Sequence, residues 1–405
     1  MAARDSKDSA SRDAKDAASR DAKDAASRAL DGVRDELVLL SRLIFEKPEL
    51  CFEEANAARL VGDALERAGF AVERGIADLP TALRARVGSG PLSLVICAEY
   101  DALPGIGHAC GHNLIAASAV GAATALAGVA DDLGLSVTVL GTPAEEGGGG
   151  KVFLLEAGAF EGAHAAMMVH PWPEDRLQAT CLAVDHIEVR YSGREAHASA
   201  SPEKGVNAAD AIVVAQVAIG LLRQHLRPGD QVHGIVTKGG EAPNIVPKEA
   251  IGQFMVRART LDDLAVLRPR IDHCFDGGAL ATGASVEIRA LAPTYSQFEG
   301  DDALLGAWRR NAETLGRRYE VDDAGIPPPT ISTDMANVSL AVPSIHPLVG
   351  LDAHGAVNHQ AEFAAACVGA SAEVALHDGA LGLAWTAIDA ATDEGLRSHL
   401  MSRLA

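Results

Sequence analysis

Hydrophobic and polar positions fall into blocks whose period changes along the chain. From residue 29 the blocks are helical, over Ala29–Phe45 and Glu53–Ala68. Shorter apolar runs follow at Pro80–Val87 and Leu92–Glu99, and the second reads as a strand buried on both faces. Leu114–Val129, rich in alanine, predicts a buried helix. Leu135–Thr142 and Ala165–Val169 predict two more strands. Beyond residue 182 the order becomes strand (Val184–Tyr191), helix (Val206–His225), strands (Gln231–Lys238, Ala250–Arg259), helix (Leu261–Phe275), strand (Ser285–Leu291). This β-α-β-β-α-β order predicts a ferredoxin-like α+β unit. A helix over Asp301–Leu315 then resumes the first pattern, and a long Ala-rich helix closes the chain.

These blocks divide the 405 residues into a first domain, 29–181 and 294–405, interrupted by a satellite domain at 182–293. Residues 1–28 repeat Ser-Arg-Asp-Ala-Lys-Asp-Ala-Ala without an apolar face, which predicts a low-complexity charged tail. The formal net charge of −20 argues against nucleic acid and anionic membranes as partners. No apolar stretch is long enough to read as a membrane span, and the N-terminus does not read as a signal peptide. The six cysteines are scattered, without Cys-x-x-Cys, which fits reduced thiols and a cytoplasmic location.

Candidate chemistry gathers where apolar strands end. Leu92–Glu99 runs into Asp101-Ala102-Leu103-Pro104 and then Gly107-His108-Ala109-Cys110-Gly111-His112-Asn113. A thiolate and an imidazole two residues apart can share a metal, and Asp101 is placed to orient such a ligand. Leu135–Thr142 ends in Pro143-Ala144-Glu145-Glu146 and four glycines. Adjacent carboxylates can divide the work, one holding a metal and one acting as general base. A phosphate-binding loop does not fit: Glu145 stands where the first glycine is required, and Val152 replaces Ser/Thr. Ala165–Val169 ends in His170. Each feature alone has a bland explanation, but three consecutive strands ending in Cys/His, Glu/Glu and His suit one or two divalent ions. A last ligand lies in Asp352–Phe363, where His354 and His359 compete and His359, just before a helix, is preferred. Ser332-Thr333-Asp334 forms a polar turn able to line the site. In the satellite, His197, Asn244 and Arg257 stand out, and an Arg in an apolar strand suits bidentate capture of a carboxylate.

The run Ala98–Ala116, with Ser332-Thr333-Asp334-Met335 and His359–Phe363, resembles the M20 metallopeptidase and amidohydrolase family. The likeness is to its aminoacylase/carboxypeptidase branch, in a subgroup that includes a β-alanyl-lysine dipeptidase. It covers residues 30–400. The fold it implies is an α/β catalytic domain of metal-dependent exopeptidase type, a mixed sheet flanked by helices, with an inserted satellite. It implies Cys110, His112, Glu146, His170 and His359 as metal ligands and Glu145 as catalytic base on an activated water. It implies His197 as a satellite histidine reaching a partner subunit's site, and Asn244 and Arg257 as holders of the substrate carboxylate. The activity implied is hydrolysis of an N-acyl amino acid or dipeptide by a homodimer joined through the satellite. The ions implied are zinc or manganese, with cobalt a third option. Two features depart from the usual branch pattern: Asn113 follows Cys-Gly-His where Asp is common, and the His359 motif lacks the usual His-Ser/Thr-Pro form.

Two rivals stand beside this reading. An aminopeptidase would need an acidic subsite for a free amine in place of Arg257. A non-catalytic metal-binding protein would have no need of both Glu145 and Glu146. A serine hydrolase is disfavoured, since Gly-x-Ser-x-Gly does not occur.

Overall fold

In a computed structural model of the protein, the backbone is described for residues 2–404 and the side chains for residues 17–403. Contacts divide the chain into two units. The first takes Met1–Thr180, Phe298–Thr330 and Asn337–Ala405, and the second takes Cys181–Gln297 and Ile331–Ala336.

The first unit is built on a six-stranded mixed sheet in the order Ala71–Arg74, Leu83–Val87, Leu135–Gly141, Leu92–Ala98, Ala165–Met167, Ser344–Ile345. The last four run parallel, and the first two add an antiparallel edge. The two central strands are buried along their length apart from Ser93 and Ser136, as strands covered by helices on both faces must be. Helix His112–Ala127 follows one central strand and is buried nearly all round, so every face of it is apolar. Helices Arg34–Glu46 and Ala370–Thr392 pack on it. Gly121 permits that approach: a Cβ there would lie 2.9 Å from Ala380 Cβ and 3.0 Å from Leu37 Cδ1. The helix begins two residues earlier than its apolar run, so His112 belongs to its first turn. Next to the sheet, His170–Trp172 pairs in parallel with Leu348–Gly350.

The N-terminal expectation needs correction. Ala2–Gly32 is one helix, and the side chains of residues 2–16 lie outside those described. Ala22, Ala26 and Leu30, four apart, are buried against helices 112–127 and 370–392. Lys23 pairs with Asp389 at 2.6 Å, donates to Asn311 Oδ1 at 2.8 Å and lies over the Trp385 ring. The last part of the repeat is therefore core rather than tail. Alanine seats closely where a larger residue could not, yet carries no hydrophobic signature in a polar repeat.

The second unit is a four-stranded antiparallel sheet, in the order Ser285–Ala290, Ala183–Ser192, Glu249–Ala258, Gln231–Lys238. Helices Ala208–Leu222 and Leu261–Thr282 pack on one face, giving the ferredoxin-like arrangement. Asn207 and Thr260 cap the two helices through their side chains. The second helix runs seven residues past Phe275, through Pro269, and stops where Gly283 takes a left-handed conformation. Residues 331–336, expected in the first domain, join this unit because Leu182 N donates to Ile331 O at 3.0 Å and Ser332 Oγ donates to Leu182 O at 2.9 Å. Among the described residues no helix is long and apolar enough to cross a membrane.

Candidate metal centre

Three strand ends of the first unit deliver the ligand-type side chains to one place. Cys110 Sγ lies 3.5 Å from His170 Nε2 and 3.6 Å from His359 Nε2. Glu146 Oε1 lies 3.9 Å from His112 Nε2 and 3.6 Å from His359 Nε2. The donors form overlapping triads, Cys110/His112/His170, Cys110/Glu146/His359 and His112/Glu145/Glu146, each within 4.8 Å. Cys110, His112 and Glu146 each belong to two of these triads. His354 is elsewhere: it is exposed and pairs with Asp352 at 3.1 Å. His108 also turns away, with Nε2 3.2 Å from Ile44 O.

Local backbone explains the gathering. Gly111 caps helix 112–127 in the left-handed conformation, and a Cβ there would lie 2.8 Å from Pro171 Cγ and 3.1 Å from Cys367 Sγ. Only glycine between Cys110 and His112 lets that loop sit so close. His359 also has positive φ, and its N donates to Ala109 O at 2.9 Å, which ties the C-terminal segment beside Cys110. Ala144, just before the paired glutamates, is held at φ 60°, a conformation costing about 1–2 kcal/mol for a residue with a Cβ. It is clamped on both sides. Its N donates to the buried Glu54 carboxylate at 2.9 Å, and its O accepts from Gly148 and Gly149. The glycine run thus folds back on Pro143-Ala144 and sets the direction of Glu145 and Glu146.

Hydrogen bonds also fix the imidazole tautomers. His112 Nδ1 donates to Asp101 Oδ1 at 2.9 Å, while Asp101 Oδ2 accepts from Glu146 N at 2.9 Å. His170 Nδ1 donates to Pro171 O at 2.8 Å. In both rings Nε2 then faces the cluster; His170 offers its lone pair there, and His112 does so once a cation displaces its proton. His112 Nε2 and Glu146 Oε1 are buried and without a hydrogen-bond partner. Burying such atoms costs about 1–3 kcal/mol each, and a cation between them removes that cost. Soft sulfur, imidazole nitrogen and carboxylate oxygen together suit zinc or a neighbouring divalent ion.

The electrostatics follow from burial and charge. Burial works against a charged His112, but Asp101 overrides it and raises the ring well above its ordinary value. Burial, helped by His112, lowers His170 to about 4, which keeps it neutral and able to ligate. Burial and then Glu146 push the Cys110 thiol up, so a strong cation is needed to make it a thiolate. The Glu146 carboxylate, 3.6 Å from its Nε2, raises His359. Burial opposes the charge on Glu99, but Lys151 and the histidines bring its carboxyl below the usual value.

Sequence reasoning left several neighbours out. Glu99 and Lys151 are fully buried and paired. His346 is buried, with its ring centroid 5.5 Å from that of His170. Asn358 Nδ2 lies 3.7 Å from Cys110 Sγ, and Cys51 Sγ donates to Glu146 O at 3.1 Å. The one available signal was a charge, Glu99, ending an otherwise apolar strand.

The second unit treats its three expected residues differently. His197 Nδ1 accepts from Ser199 N and Ala200 N, so Nε2 carries the proton and is a hydrogen-bond donor. Its loop pairs with the next: Ala198 N donates to Asn244 O and Val246 N to Ala196 O. His197 and Asn244 are therefore exposed neighbours at one end of the sheet. Arg257 is at the other end. It sits opposite Val184, whereas Glu249, near the His197 end, sits opposite Ser192. That separation is roughly 25 Å along the strand. Arg257 donates to Ser332 Oγ at 2.9 Å, and its Nε is buried without a partner. The expectation that Asn244 and Arg257 grip one carboxylate does not hold within this unit, because the strand register keeps them apart.

Three comparisons bear on this centre. Residues 95–377 match the model of peptidase family M20/M25/M40. The chain is 39% identical over 396 residues to the Xaa-Arg dipeptidase of Mus musculus, covering 93% of this chain and 91% of that one. It is 33% identical over 282 residues to one of the chains of the p-aminobenzoyl-glutamate hydrolase of Escherichia coli K12, covering 64% and 59%. In fold it is similar to a dinuclear metal-binding M20 peptidase of Bacillus subtilis, with TM-score 0.65 and 22% identity over 88% of this chain and 98% of that one.

Proposed function

Because the chain belongs to peptidase family M20/M25/M40, we propose that it is a dipeptidase acting on dipeptides with a cationic C-terminal residue. N-acyl amino acids of related shape form the second substrate group. The observation that carries the proposal is the cluster of Cys110, His112, Glu145, Glu146, His170 and His359 at one sheet edge. The cationic preference is supported by the name of the mouse relative and by a net charge of −20, which attracts positive substrates.

Cys110, His112, Glu146, His170 and His359 would hold two divalent ions, zinc or manganese, with cobalt a third option. When bound, such ions supply Lewis acidity to the amide carbonyl and make water a stronger acid. Glu145 takes a proton from the attacking water as its oxygen bonds to the amide carbon. The C–N bond then breaks, and Glu145 passes that proton to the leaving nitrogen. The His197 Nε2–H suits donation to the oxyanion, and Arg257 suits the substrate carboxylate.

The distance between Arg257 and the His197/Asn244 pair supports a homodimer, in which each copy lends His197 and Asn244 to the other. Val213, Val217 and Leu221 form an exposed apolar stripe on helix 208–222, and Ile235 and Val236 stand exposed on the edge strand. Together they give this unit a surface for a second copy. The scattered cysteines, without Cys-x-x-Cys, support a reducing, cytoplasmic setting.

The test is hydrolysis of a panel by the metal-loaded chain, with and without chelator. The panel holds Xaa-Arg and Xaa-Lys dipeptides, aminobenzoyl-glutamate, hippurate and acetyl-amino acids. Chelator-sensitive cleavage of the basic dipeptides is the expected result. Cleavage of acyl-amino acids alone would overturn the substrate assignment. No cleavage by chain with metal bound would favour a binding protein.

A further inference from the structure

Of the buried groups around the metal centre, one ion pair has no part in the chemistry above. Lys151 Nζ and Glu99 Oε1 meet at 2.5 Å, and both side chains are fully buried. A pair of this kind is weak evidence for stability, because desolvating two charges costs about what their attraction returns. Lys151 also sits in the first turn of helix Gly150–Glu156, where the helix dipole favours an anion. A cation kept where both burial and the dipole oppose it points to a role other than cohesion.

Glu99 indicates that role. Its two oxygens face different ways. Oε1 takes Lys151, while Oε2 lies 3.6 Å from His112 Nε2 and has no hydrogen-bond partner. Glu146, which belongs to the expected ligand set, is farther from the same nitrogen, at 3.9 Å. A Glu99 oxygen also comes within 4.8 Å of Glu145. Three buried atoms, Glu99 Oε2, His112 Nε2 and Glu146 Oε1, thus converge without hydrogen bonds. A purely structural Glu99 would be expected to hydrogen-bond both oxygens, since a buried carboxylate oxygen held only by an ion-pair contact at 3.6 Å is costly.

We propose that Glu99 is a further ligand of the ion held by His112, and that Lys151 is its positioning residue. Lys151 occupies Oε1 and so turns Oε2 toward the ion. It also offsets part of the negative charge that Glu99, Asp101, Glu145 and Glu146 bring to one buried place. The proposal rests on the metal-centre reading above.

The test compares the full-length wild type with Lys151→Met and with Glu99→Leu/Lys151→Met, measuring bound metal by elemental analysis and affinity for Zn²⁺ and Mn²⁺ by calorimetry. The double variant replaces the pair by apolar groups of similar size, so the metal-free chain is expected to keep its melting temperature. It should still lose one ion, or bind it at least about tenfold more weakly. Lys151→Met alone, with Glu99 retained, should melt lower without metal and recover more on metal addition than the wild type does. Wild-type stoichiometry and affinity in the double variant would overturn the assignment while leaving the functional reading intact. A wild-type chain that takes up no divalent ion would overturn both.

Discussion

The two units place their reactive groups in opposite ways. In the first, Cys110, His112, Glu145 and His170 are buried, and His112 and His170 are each fixed by a hydrogen bond from Nδ1. In the second, His197 and Asn244 are exposed on paired loops, and Arg257 is a sheet's length away. A centre that must hold ions before substrate arrives is preorganised within one unit. Groups that meet only the substrate can wait on a surface until another body brings them in. The chain, a hydrolase by family, gathers the first set within one unit and leaves the second set apart along a strand.

The sharpest way to break this comparison is at Glu145. Glu145→Gln should lower kcat by about 10²–10⁴, with bound metal unchanged on elemental analysis. Retained turnover would remove Glu145 from the chemistry, and loss of metal would make it a ligand instead.

The second unit can be tested by mixing. Glu145→Gln and His197→Ala should each be nearly inactive alone. Random reassortment of the two should restore about a quarter of wild-type activity, because half the dimers then carry one intact composite site. No recovery, with exchange of chains verified by mass spectrometry, would place His197 in its own chain's site, and an active His197→Ala would place it outside any site.

A smaller effect concerns the brace beneath the paired glutamates. Burial, and then Asp101, raise Glu54 from 4.5 to about 7. Below the unfolded value both states hold the proton and no penalty arises. Between about 4.5 and 7 only the unfolded state releases it, so stability falls as pH rises, by up to about 3 kcal/mol in the metal-free chain. Glu54→Gln keeps an oxygen for Ala144 N but cannot ionise. Denaturant titration should find its stability flatter across that window, and parallel curves for the two proteins would refute the account.

Much of the first unit was legible because apolar runs mark buried strands, and the polar residues just after them share one sheet edge. Cys110 with His112, the Glu145-Glu146 pair and His170 could be grouped from that rule alone, while the choice between the two glutamates needed the family likeness. Glu99 was not, since a charge closing an apolar run reads as a boundary and its burial depends on Lys151, fifty-two positions later. Lys151 itself was hidden by its likeness to a phosphate-loop lysine. The seat of the N-terminal helix was invisible for another reason: Ala22 and Ala26 bury little surface each, and only the facing helices make them core. The distance from Asn244 to Arg257 required strand register, which the order of elements does not contain.

Asp101 has a consequence for how such a centre can change over time. One carboxylate grips the ring that ends the first loop and the backbone that begins the second. Neither loop can drift without releasing the other, so substitutions at 101 and 112 are inherited as one character, and the backbone at 146 follows them. A descendant seeking a different metal would have to change both in concert, and a designer retuning the site should plan for the pair at once.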